Sequence, residues 1–79
     1  MNKWSVKEVL MHIIDTERVM SYRTLVAARG DNNTPLPSFD EDGYANNVDV
    51  SNRSMTDLLD EFKAVRSGTE KLVKNLTEV

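Results

Sequence analysis

The chain contains no cysteine and one histidine, His12, in 79 residues. The first absence rules out a disulfide, so a domain this small, with a modest core, needs other support such as a partner. The second leaves no pair of imidazoles, and without thiols the chain's histidines and cysteines cannot complete a zinc-type site. Proline is confined to Pro35 and Pro37, which forbid a regular helix only there. No apolar run approaches the length of a bilayer span, and no charged, apolar, small-residue order at the amino end marks a secretory leader. A soluble, cytoplasmic protein with no membrane partner is therefore expected. Basic charge is not in excess either. Ten Lys and Arg against thirteen Asp and Glu leave −3, which argues against a nucleic-acid partner.

What is present divides into three stretches. The acidic charge gathers between residues 31 and 49, where Asp31, Asp40, Glu41, Asp42 and Asp49 occur without a base. The flanks are nearly balanced and helical in pattern. Ser5-x-x-Glu8 is a capping box, with Trp4 and Val9 placed for a hydrophobic staple, and Gly30 marks a left-handed stop. The first helix is thus expected over about 6–29. Winding it at ~100° per residue gathers Val6, Val9, Leu10, Ile13, Met20, Thr24, Ala27 and Ala28 on one face. Trp4, Val19, Tyr22 and Val26 add apolar area on another side, so this helix calls for more than one neighbour. A second helix, over about 55–76, opens at Ser54 with Asp57 and repeats Met55, Leu58, Leu59, Phe62, Val65, Thr69, Leu72, Val73 and Leu76 at three- and four-residue spacings. Gly68 inside it costs ~1 kcal/mol relative to alanine, offset by a close helix approach or simply tolerated.

The connection, 30–53, is long enough to run back along the whole first helix, whereas a tight antiparallel hairpin needs only a few residues. A crossover that leaves the two long helices parallel follows. Within it, Ser38-x-x-Glu41 is a candidate cap for a short turn carrying Phe39 and Tyr44.

Three elements carry a resemblance to a known family: His12-x-x-Asp15-x-Glu17-Arg18, Arg29-Gly30-Asp31, and Thr34-Pro35-Leu36-Pro37 followed by Phe39-Asp40-Glu41-Asp42. With the helices around them, they resemble the second and third helices and the long connection of DinB-like proteins. These are up-down-down-up four-helix bundles, usually about twice this length. The resemblance implies an all-α fold in which this chain, a single truncated domain over 1–79, forms half of the bundle. It also implies a divalent metal, zinc or nickel, held by three histidines, and relatives that act as metal-dependent thiol S-transferases or hydrolases. His12 matches the first ligand. The other two belong to a His-x-x-x-His pair on a fourth helix, which this sequence lacks, so the activity does not carry over to the chain alone.

Residue chemistry offers lesser sites beside a plainer reading of each. Glu8, His12 and Asp15 fall within ~60° of one another round the helix, so one metal could touch two of them. The plainer reading of His12 is a partly buried histidine beside a carboxylate. Glu17 lies in the middle of the apolar face, between Ile13 and Met20, and needs a cationic partner, for which Arg66 or Arg23 would serve. The alternative for Glu17 is a proton-transfer role. Ser38-x-Asp40-x-Asp42-Gly43 with Asp49 faintly echoes a calcium loop, but serine opens it, aspartate closes it and prolines replace the entering helix.

Two helices with two-sided apolar surfaces cannot shield each other, and the simplest remedy is a homodimer that rebuilds a four-helix bundle. Two functions remain open. One is a DinB-like enzyme whose metal site needs residues from elsewhere. The other is a noncatalytic dimeric bundle that binds a small apolar ligand or a protein partner.

Overall fold

In a computed structural model, residues 4–36 and 38–76 are described. Pro37, expected to help hold the connection extended, lies outside them. Three helices make up the secondary structure among the described residues: α1 (Val6–Ala28), α2 (Glu41–Asn46) and α3 (Met55–Leu76). The fold is all-α, with a short helix inside the crossover in addition to the two long ones.

Local chemistry explains each boundary. At the start of α1 the Ser5 hydroxyl accepts from the Glu8 N–H at 3.1 Å, and the Ser5 N–H donates to Glu8 Oε1 at 2.7 Å. At its end Arg29 is the cap rather than the last helical residue. Gly30 takes φ +67°, its N–H donates to the Ala27 carbonyl, and the Asp31 N–H donates to that of Val26. This double closure needs a left-handed residue, which glycine adopts at least cost. Asp31 then accepts from the N–H groups of Asn33 and Thr34, fixing the exit of the chain. The cap of α2 is Asp40, not Ser38: its Oδ1 accepts from the Gly43 N–H at 3.0 Å. Asp40 is thus committed to a helix start, as expected of aspartate at such a position. Ser54 caps α3 by accepting from the Asp57 N–H at 3.0 Å.

The long helices are parallel. Met11 meets Arg53 just before α3, Glu17 and Arg18 in mid-helix meet Arg66 and Glu61, and Ala28 and Leu76 line one pocket at the far end, so the contacts run in the same direction along both helices. Among the described residues the small core comprises Met11, Ile14, Val50 and Leu58, of which Ile14 and Leu58 are completely enclosed, and Val26 is buried apart from it. Leu10, Val48, Phe62 and Val65 pack against it. The crossover thus returns Val48 and Val50 to the start of α3, closing one end of the helix pair.

The face of α1 that the periodicity singles out meets α3 only along one side, through Leu10 and through Glu17, which pairs with Arg66. Val6, Val9, Ile13 and Met20 are 71, 42, 43 and 45% exposed, while Ile14 and Met11, from its edge and beyond, enter the core. On α3, Leu58 is enclosed but Leu59 and Val73 of the same seam are 43 and 49% exposed. The Glu17–Arg66 pair, at 3.1 Å, lies between these two apolar strips. Together they form one two-helix face open to solvent.

Candidate functional site around His12

His12 lies on the side of α1 covered by the crossover. Its ring is tilted against Trp4, with centroids 5.0 Å apart, and lies nearly parallel to Phe39, at 6.3 Å and an interplanar angle of 9°. Phe39 in turn meets the edge of Tyr44 at 4.7 Å. The Asp40 cap sets α2 so that Glu41, its first residue, comes within 3.7 Å of His12 Nε2. That distance is too long for a hydrogen bond but short enough for attraction once the imidazole is protonated.

The neighbours proposed from helical spacing are used differently. Glu8 is engaged in the capping box. Asp15 has its pKa pushed up, first by burial and then by the negative charge of Glu61, against the opposing pull of His12 and Arg18. Among the described residues no three histidine, cysteine or carboxylate side chains converge on a metal-sized point. The donor set of one chain, one imidazole with Glu41 beside it, Asp15 not converging with them and Glu8 held in the capping box, therefore does not fit a zinc or nickel ion. In the acidic loop, Asp40 is turned to Gly43, and Asp49 accepts from the Ser51 N–H at 2.9 Å, so both are satisfied locally. Close to His12, the Thr16 hydroxyl is buried without a hydrogen-bond partner, which costs stability.

Glu17 is paired with Arg66, and its side chain is only 15% exposed. Its charge is thereby paired within the apolar face rather than buried alone.

A charged network on the other side of the α1–α3 seam escaped the sequence reading. Glu61 accepts from Arg18 at 3.0 Å and faces Arg53 Nη1 at 2.7 Å, while Arg53 Nε donates to Asp57 at 2.7 Å. These hydrogen bonds, Arg18 first and Arg53 second, hold Glu61 below the usual carboxylate range, and Arg53 does the same for Asp57. The 53-57-61 spacing signalled one edge of this network, since residues four apart share a helix face. Its link to Arg18 depends on the parallel register, which spacing within one helix does not encode.

No curated protein and no solved structure matches the chain. A family model does, that of the DinB superfamily, over residues 2–79. The parallel helix pair, its long crossover and the His-x-x-Asp-x-Glu-Arg segment thus lie within one continuous match, and the chain belongs to the DinB superfamily.

Proposed function

We propose that this chain is a helical-bundle module that works by association. A second copy covers the open α1–α3 face, and the assembled protein is a noncatalytic binding scaffold. The observation that carries this reading is the uncovered face itself. The molecule measures 43 × 26 × 16 Å, and its shortest dimension is little more than one helix with side chains, whereas a stable domain needs two packed layers. Its accessible surface is 6031 Å² for 9.0 kDa. A folded monomer of that mass exposes ~4,850 Å², about 1,200 Å² less, and a standard interface removes ~800 Å² from each partner. The excess is larger than one standard interface would remove, so the uncovered surface is ample for a dimer.

Two helix pairs related by a two-fold axis would form a four-helix bundle, with Ile13, Met20, Leu59 and Val73 of each copy facing those of the other. The Glu17–Arg66 pairs, which lie between the two strips, would be enclosed in this new core as paired charges, at a desolvation cost that the apolar contacts must offset. His12 is ~100° round α1 from Ile13, so this arrangement brings no second imidazole to it. Zinc- or nickel-dependent transfer or hydrolysis, which the resemblance implies, would need donors from a different contact and forms no part of the proposed function.

Light scattering tests the reading. A mass twice that of the chain is expected at micromolar concentration, falling to the chain mass in Ile13→Glu. A wild-type mass of 9.0 kDa would sink it.

A further inference from the structure

The crossover leaves a cleft on the opposite side of α1. Val19 and Tyr22 of α1, Leu36 and Phe39 of the connection and Tyr44 of α2 wall a cavity of about 310 Å³. That is the lower end of the range for small-ligand sites, ~300–1,000 Å³. Its aromatic wall is held in place, because Phe39 is fixed by His12 on one side and by the edge of Tyr44 on the other. Tyr22 and Tyr44 nevertheless remain about half exposed, at 52 and 51%.

The polar side of the cleft carries one sign of charge. Arg18 and Arg23 both line it, and among the described residues no carboxylate does. Arg18 donates through Nη2 to Glu61 and Arg23 has an interaction of its own, but a guanidinium has five N–H donors, so each can keep its contact and still offer donors to a ligand. A planar carboxylate suits such a fork, and its hydrogen bonds are strengthened by charge.

We propose that this cleft binds a small organic monocarboxylic acid with a flat aromatic body. The ring lies against Phe39 and Tyr44, and the carboxylate meets the guanidinium groups of Arg18 and Arg23. Val19 is ~100° round α1 from Met20, which keeps the apolar wall of the cleft off the proposed dimer face, whereas Arg23, ~60° from Met20, stands between the two.

Phenylacetate is a suitable probe, with benzyl alcohol and phenethylamine as neutral and cationic controls of similar shape. Titrations followed by amide chemical shifts should give saturable changes at Tyr22, Phe39 and Tyr44. Phenylacetate should bind at least ~10-fold more tightly than either control. Arg23→Gln and Arg18→Gln should each weaken phenylacetate severalfold without affecting benzyl alcohol. Arg23→Gln provides the cleaner test because it leaves the Glu61 network intact. Val19→Trp should fill the cleft and abolish binding of all three. Equal affinity for the three probes would overturn the acid specificity. No saturable shift up to ~20 mM, or shifts confined to the Ile13 and Met20 face, would overturn the site.

Discussion

Asp15 ionises at a cost to the folded chain that its neighbours only partly offset. Burial raises its pKa above the ordinary 3.8, the negative charge of Glu61 raises it further, and His12 and Arg18 counter only part of this. The native state therefore holds the Asp15 proton more tightly than the unfolded chain does. Stability is lost as pH climbs from 3.8 through the raised native value. Asp15→Asn should melt at a higher temperature than wild type at pH 7, and the gap should close as the pH approaches 3.8, as thermal denaturation followed by circular dichroism would check. Glu61 has the opposite sign. The hydrogen bonds from Arg18 and Arg53 pull it below its ordinary 4.5, so its contribution is complete above that value and disappears as pH falls through the lowered native one. Glu61→Gln should cost about 1 kcal/mol at neutral pH, allowing for solvent around this partly exposed pair, and should flatten the acid limb of a urea-denaturation series.

At the scale of the helices, α3 carries a residue that serves no visible purpose in its packing. A Cβ built on Gly68 would meet nothing within 4 Å, so no close helix approach requires glycine there. Gly68→Ala should stabilise the chain by ~1 kcal/mol in chemical denaturation. Gly30 is the contrast, since its φ of +67° suits a residue without a Cβ. These cases mark how far the sequence could be read. Both long helices were legible because Ser5, Glu8, Gly30 and Ser54 act through bonds to residues within a few positions of themselves. The parallel arrangement was legible from the length of the connection. The short helix α2 was only half legible, because Ser38 and Asp40 are both competent caps and local pattern does not rank them. Least legible was which stripe of α1 meets α3. Periodicity ranks faces by apolar content, and here most of the richest face stayed open, Leu10 apart, while Met11 and Ile14 turned inward. Around His12, spacing within α1 identified Glu8 and Asp15 but not Glu41, Trp4 or Phe39, because those contacts depend on elements other than α1.

For the molecule as a whole, the small enclosed core and the open apolar face should make stability depend on concentration. The melting temperature of an associating chain rises with protein concentration, because assembly draws on the folded state alone. A series spanning ~1 to ~100 µM should therefore show a steady upward shift, absent in Ile13→Glu. The parallel register has a kinetic consequence as well. Arg18 and Glu61 are 43 positions apart and Glu17 and Arg66 are 49, so the side chains that join the helices are distant along the chain. Small helical proteins usually fold fast because successive helices close on one another as hairpins, with low contact order. Here the chain must close a long loop before the first native contact between α1 and α3 exists, at an entropic cost that only later contacts return. For an all-helical chain of 79 residues, folding should be slow, with a rate nearer that of mixed α/β domains than that of a helical hairpin.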